Sequence, residues 1–363
     1  MAPVRTPPVH LNYIFCDNPA TYASAIWVLR QAPYLILDCE GYNLGRSGGS
    51  VTLICVGTPF AEHIFLFDVL SPFLTSSDIN SLLRLLGDRN ILKIVWDGRM
   101  DYLEIWSTFG VTLEHVLDLQ VAEVMSRSEM RGEGELHRLK RLPRGFVSLQ
   151  QAQKQEIQLD GLHAVVGLQK CWKDCGYAEE VGKDPEVVKM HKSKGSWMWV
   201  ERPLTEQLLQ YAAKDILLIG VLYPHFYRSG WIPMQPSQYD FLLGQCQRYV
   251  TAHKEQGKST DTDVFRPGGI MPLDVLNEPY GPKHKCLACN RWLSLAAYET
   301  LESGSPGIGG YKYRMVTLRR PRCRLCHVLA LKSGLKMERS QSLCFTKNSN
   351  WPGDKIIRDH KWD

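Results

Sequence analysis

The apolar run YLIL at Tyr34–Leu37 passes directly into DCEG, and two further apolar runs, Val51–Gly57 and His63–Phe67 ending at Asp68, follow closely. Short runs rich in β-branched and aromatic residues, bounded by Gly and Ser, predict strands. The turn NLGRSGGS between the first two makes the set an antiparallel meander. Apolar residues at helical spacing predict helices over Tyr22–Arg30 and Ser77–Leu86, then a short strand at Ile91–Val95 and a helix from Met100 to Trp106. Further helices are predicted over Leu159–Cys175 and Leu204–Arg228, the second opened by RPLT with Thr205 as its cap. Residues 126–160, with SRSEMRGEGELHRLKRLPRG and a glutamine-rich stretch, break the pattern and are read as a loop insertion. Strands interleaved with helices predict an α/β layer fold. The expected organisation is a main domain over 1–250, a linker at 251–283, a cysteine-paired module at 284–330 and a basic tail at 331–363.

With 44% apolar and 22% charged residues in 363, the chain can bury a sizeable core. The N-terminus lacks a basic segment followed by an apolar one, and runs such as Ile216–Tyr223 are too short to cross a bilayer. Neither secretion nor membrane spanning is expected, which leaves an intracellular protein of nucleus or cytoplasm. Seven of the eleven cysteines are scattered and four fall in two tight pairs, a pattern of free thiols and one metal site in a reducing compartment. Residues 281–363 carry 16 Lys and Arg against 6 Asp and Glu, whereas residues 1–280 carry 27 against 32. A basic appendage on a mildly acidic domain suits attraction to a polyanion such as nucleic acid.

Acidic residues sit at revealing positions. Successive strand side chains alternate, so Asp38 and Glu40 share a face and Cys39 turns away from them. Two adjacent carboxylates repel unless one holds a proton or a cation lies between them. In KIVWDGRMDYLEIW a strand gives way to a helix carrying Asp101, with Asp97 as a rival for the same role. In LLQYAAKDILLIGVLY, Tyr211 and Asp215 are four apart and stack on one helix face. Asp38, Glu40, Asp101 and Asp215 together make an all-oxygen donor set suited to magnesium or manganese.

The ordered set of D-x-E on a first strand, a later helix-opening Asp and Y-x3-D on a late helix resembles the DEDDy branch of the 3′-5′ exonucleases. That branch includes RNase D, the Werner-type exonuclease domain and polymerase proofreading domains. DCEGYNLGRSGGSVTLICVGT, KIVWDGRMDYLEIWSTFGVTLEHVLDLQVAE and RPLTEQLLQYAAKDILLIGVLY are most similar to the group that includes Egalitarian-like proteins, over about residues 10–230. The resemblance implies an RNase H-like fold, with a mixed five-stranded sheet flanked by helices. It implies Asp38, Glu40, Asp101 and Asp215 as metal-binding carboxylates and Tyr211 as the group that orients the attacking water. It prefers Asp101 to Asp97, because its motif places the Asp just before a hydrophobic residue on the helix. The expected activity is release of nucleoside 5′-monophosphates from the 3′ end of single-stranded RNA or DNA, using two divalent ions about 3.5–4 Å apart. Some members depart from the acidic set and serve as nucleic-acid-binding adaptors; this chain keeps all four acids and the tyrosine.

CLAC at Cys286 and Cys289 is matched by CRLC at Cys323 and Cys326, a spacing suited to one structural four-cysteine zinc site, with His284 and His327 as alternative ligands. Candidate nucleic-acid contacts are Arg138, Lys140 and Arg141, with His137 and Arg144 beside them, and Arg319 and Arg320, with Arg322 and Arg324, around the second cysteine pair. Lys189, Lys192 and Lys194 precede Trp197 and Trp199, a mixture of cations and aromatics that fits a single strand. The cysteine module also suits a protein partner.

Overall fold

The computed structural model describes residues 11–142, 159–178, 187, 189, 195–260, 262–305, 314–335, 342–346 and 355–357. The chain forms two compact units, one from Met1–Glu133 with Val165–Asp261 and the other from Gly134–Ala164 with Thr262–Asp363.

The first unit is built on a mixed sheet of β1 (Ile14–Cys16), β2 (Tyr34–Tyr42), β3 (Ser50–Gly57), β4 (Ile64–Asp68), β5 (Leu92–Val95) and β6 (Val116–Asp118). Their order is β1-β4-β3-β2-β5-β6. The β2–β3–β4 meander is antiparallel, and β1, β5 and β6 pair in parallel with β4, β2 and β5. This is the RNase H-like arrangement expected, with six strands in place of five. The additional edge strand is β1, only three residues long and with Ile14 exposed. A sequence pattern that short has no period to read.

Around the sheet lie α1 (Pro19–Leu29), α2 (Ser76–Gly87), α3 (Arg99–Phe109), α4 (Leu119–Glu129), α6 (Leu168–Asp174), α7 (Glu206–Arg228) and α8 (Pro236–Val250), while α5 (Glu135–Arg141) belongs to the second unit. Local chemistry sets their ends. Asn18 and Thr21 form a capping box on α1, Thr75 and Asp78 form one on α2, and Thr205 caps α7 as expected. The helix predicted over Leu159–Cys175 is confined to Leu168–Asp174, because Gly161 takes φ +73 and the N-cap is the extended Gly167. Part of the segment read as a loop insertion falls outside the described residues; of the rest, Ser126–Glu129 completes α4 and Glu135–Arg141 is helical.

Alternation along β2 divides the sheet into two faces. Leu35, Leu37 and Cys39 join Ile54, Val56, Phe65 and Phe67 in one apolar core with Tyr22, Ile26 and Leu82. Ile36, Asp38 and Glu40 occupy the other face, against α7. That helix lies close to the sheet because two glycines permit it. A Cβ at Gly57 would stand 2.5 Å from Ile216, and one at Gly220 would stand 3.0 Å from Ala61 and Ile36.

In the second unit β7 (Lys283–Lys285) and β8 (Trp292–Ser294) form a hairpin, and α9 (Arg324–Lys332) follows the second cysteine pair. A four-stranded antiparallel sheet is made by β9 (Thr300–Ser305), β10 (Arg314–Arg319), β11 (Ser342–Thr346) and β12 (Lys355–Ile357). The stretch read as a linker at 251–283 is structured within the described residues. Lys258 and Ser259 belong to the first unit, while Ile270 and Leu273 sit in the second unit's core with Leu162, Cys286, Leu293 and Cys323. Isolated apolar residues among Pro and Gly conceal such burial from a pattern of runs.

Candidate active site and cysteine cluster

Asp38 and Glu40 stand at the end of the central strand β2, opposite Cys55 and Leu53 of β3. Asp215 reaches them from the middle of α7. One carboxylate oxygen from each of the three lies within 4.8 Å of the others. Oxygens around a single small divalent cation, each about 2.1 Å from it, fall within that spread, so the group could hold a metal. Tyr211, one turn before Asp215, is buried, and its ring centroid lies 6.3 Å from that of Trp199.

Asp101 lies in the first turn of α3, outside this 4.8 Å group but inside its field. Burial holds its carboxyl well above the usual carboxylate range, and the negative charges of Asp38, Asp97 and Glu40 push it further. Burial raises the thiols of Cys39 and Cys55 as well, the nearby acids adding to the effect, so both stay protonated and unreactive.

Asp97 has a different place. It takes φ +56 in the turn between β5 and α3, and its carboxylate accepts from Arg99 Nε at 2.6 Å and Nη2 at 2.8 Å. The Arg99 guanidinium also lies over the Tyr249 ring. Asp97 therefore builds the turn that presents α3, and Asp101 faces the other acids.

The same turn is tied to the sheet by Asp118, whose carboxylate accepts from the backbone N–H groups of Asp97, Gly98 and Gln120. Burial and Asp97 push its carboxyl up to about 7, against the lowering effect of those three donors. Its folded-state value is above its unfolded value, so the folded protein binds the proton more tightly and loses stability as pH rises from about 4 to about 7. Over that range the loss is on the order of 4 kcal/mol. The stability difference between wild type and Asp118→Asn should therefore shift in favour of the variant as pH rises, a trend measurable by urea unfolding at pH 4.5 and 7.5.

The turn after β2 is held by residues that no motif announced. Glu104 on α3 is fully buried, its Oε1 accepting from Gly45 N at 2.7 Å. Lys258 Nζ donates to Glu104 Oε2 at 2.7 Å and to Gly49 O at 2.6 Å, and Ser259 pairs with Gly45 and Ser47 through backbone bonds. Ser196 Oγ accepts from Asn43 N and donates to Asn43 Oδ1, which brings Trp197 edge-on to Tyr42 with ring centroids 5.3 Å apart. Removing one partner of a buried ion pair strands the other charge. Lys258→Ala is expected to cost about 3 kcal/mol in denaturant unfolding, with part of the loss recovered when Glu104→Gln is added.

In the second unit the Sγ atoms of Cys286, Cys289, Cys323 and Cys326 all lie within 4.8 Å of one another. Four thiolates about 2.3 Å from a central ion would be about 3.8 Å apart, so this group also could hold a metal. His284 and His327 are not members of it. The ring of His284 is buried edge-on against Tyr298.

Among the predicted phosphate contacts, three arginines are structural. Arg138 pairs with Glu135 and donates to the carbonyls of Leu159 and Leu162. Arg319 is 2% exposed, its guanidinium over the Tyr298 ring, and Arg320 pairs with Glu299. A run of basic residues does not reveal which side chains are consumed inside the fold. Lys140, Arg141 and Lys189 are exposed, whereas Arg144, Lys192 and Lys194 lie outside the described residues. No helix among the described residues is long and apolar enough to cross a membrane.

A comparison with solved structures finds Trypanosoma brucei RNase D at 22% identity and a TM-score of 0.52, covering 73% of this chain and 80% of that one. The GMP complex of T. brucei RNase D matches at 21% identity and a TM-score of 0.52, covering 78% of this chain and 83% of that one. These likenesses establish the shared fold. A search of curated protein sequences finds no significant match. Residues 13–229, more than half of the chain and the span that holds every acid of the site, match the family model for the 3′-5′ exonuclease domain. The chain belongs to the 3′-5′ exonuclease family.

Proposed function

We propose that this protein is a metal-dependent 3′-5′ exonuclease of the DEDDy type, removing nucleoside 5′-monophosphates from single-stranded nucleic acid. The observation that carries this reading is the meeting of Asp38, Glu40 and Asp215 within 4.8 Å at the junction of β2 and α7. Two magnesium or manganese ions, when bound, stabilise the attacking and leaving oxygens of the phosphodiester. Asp38, Glu40 and Asp215 would hold the ions, Asp38 serving both, and Asp101 would act at longer range. Tyr211 is the group that orients the attacking water, through a phenol better suited to hydrogen bonding than to bulk proton removal. Trp199, packed against its ring, limits the positions that phenol can adopt.

Substrate contacts are assigned to exposed aromatic and basic side chains in each unit. Trp197 is exposed beside Tyr42 and suits stacking on a base, and Lys140 and Arg141 suit phosphates. The GMP in the T. brucei RNase D complex is consistent with a nucleotide product. The four cysteines hold a structural zinc, since thiolates filling all four positions leave none for substrate. Cysteines paired for metal binding suit a reducing, intracellular compartment.

The test is product analysis. Incubation of a single strand with the purified protein and magnesium or manganese should release nucleoside 5′-monophosphates from the start of the reaction. Longer fragments as first products, or retention of an intact strand, would reject this reading, the latter in favour of an adaptor.

A further inference from the structure

The β7–β8 hairpin has two unlike faces. His284 and Leu293 are directly opposite each other, both buried, and Leu293 belongs to the second unit's core. Lys285 and Trp292 form the next cross-strand pair, and both are exposed, as is Lys283 at the other end of β7. Directly opposed residues in an antiparallel pair bring their Cβ atoms to about 5 Å, so the ammonium-bearing chain of Lys285 and the indole of Trp292 stand side by side. The indole is 54% exposed. Leu287, in the turn of the first cysteine pair, is also exposed.

The charge around this face is predominantly positive. Between Glu278 and Glu299 the sequence contains Lys283, Lys285 and Arg291 and no acidic residue. Asp274, whose carboxylate meets the hairpin, is occupied by Ser294, accepting from its N at 2.5 Å and its Oγ at 2.8 Å. The exposed indole stands opposite Lys285, with Lys283 on the same strand, so the partner that matches this face carries negative charge. Regularly spaced negative charge next to flat π-faces is the matching partner chemistry, and a single-stranded nucleic acid supplies both.

We propose that the outer face of the β7–β8 hairpin is a binding site for single-stranded nucleic acid, with Lys283 and Lys285 meeting phosphates and Trp292 stacking on a base. The arginines around the second cysteine pair, which the sequence favours for this task, are drawn into the unit's own packing. The hairpin at the first pair takes their place. This site is separate from the carboxylates and does not depend on their cutting the strand.

The experiment measures binding of a 5′-fluorescent 20-nucleotide oligouridine RNA by anisotropy across a salt series, with no magnesium or manganese added. The full chain carries Asp38→Asn throughout, so that the RNA stays whole whatever the carboxylate site can do. Lys285→Glu should weaken binding about fivefold at 0.1 M salt and reduce the slope of log K against log salt by about 0.7. Trp292→Ala should weaken it roughly 5- to 100-fold with the slope unchanged, and Trp292→Phe should restore most of the loss. Arg89→Glu, an equal charge change at an exposed position of the other unit, should leave the affinity as it was. Parental affinity in both hairpin variants would overturn the proposal, as would an equal loss in Arg89→Glu. If Trp292→Ala loses bound zinc, the Lys285→Glu result alone decides. Failure of the exonuclease reading leaves every one of these outcomes in force.

Discussion

Alanine at position 38 is expected to lower turnover about a thousandfold or more while leaving the metal-free fold at least as stable as the wild type. The two effects have one cause. Asp38, Glu40 and Asp215 converge within 4.8 Å, and the buried Asp101 carboxyl is held above its usual range partly by the Asp38 charge. Without metal these acids repel, so removing one relieves the fold. With metal, the same removal takes away the carboxylate proposed to serve both ions, at a cost of several kcal/mol in the transition state. At 1.36 kcal/mol per decade that amounts to three decades or more. Tyr211→Phe should fall about a hundredfold and keep its metal affinity, because only the phenol proposed to position the water is lost. Steady-state rates and thermal melts with and without magnesium separate the cases. A wild-type melting temperature that rises with magnesium, beside an Asp38→Ala value that does not, is the expected thermal signature.

Serine at position 323 should have the largest effect on folding. Cys286, Cys323 and Cys326 are members of the second unit's core, so the cluster is part of the packing and not an ornament on it. Cys323 N also donates to Cys286 Sγ at 3.3 Å, which joins the two cysteine pairs directly. Structural zinc in small modules supplies on the order of 10 kcal/mol of folding free energy, more than such a unit has to spare. On the proposed four-cysteine zinc site, Cys323→Ser should lose the bound metal and the cooperative unfolding of the second unit. Metal analysis combined with hydrogen exchange over 284–335 would show it. Retention of one zinc per chain with unchanged protection would contradict the four-cysteine assignment.

The parts of this structure that were legible in the sequence are those with a period. Asp38 and Glu40 followed from strand alternation, Tyr211 and Asp215 from the four-residue helical repeat, and the cysteine cluster from two matched pairs. The parts that were not legible have either too little period or a pattern read at the wrong level. β1 and β6 are three residues each. In α8, from Pro236 to Val250, Gln, Ser and Tyr interrupt the apolar stripe, and its burial of Leu242, Cys246 and Tyr249 depends on tertiary packing. Glu104 and Lys258 meet across 154 positions of sequence, a pairing that no local rule can reach. Basic residues were the least informative, since Arg319 in the interior and Lys285 on the surface are equivalent as letters and opposite as physics.

The central claim is that the carboxylates of β2 and α7 hydrolyse a strand from its 3′ end. Its most direct test is denaturing electrophoresis of 5′-labelled single-stranded RNA and DNA of one sequence, incubated with magnesium or manganese and either wild type or Asp38→Ala. The account predicts a ladder that shortens one nucleotide at a time from the 3′ end with the wild type and is absent with the variant, and the sugar degraded faster identifies the substrate. Intact strands with both proteins, or equal ladders from both, would contradict it.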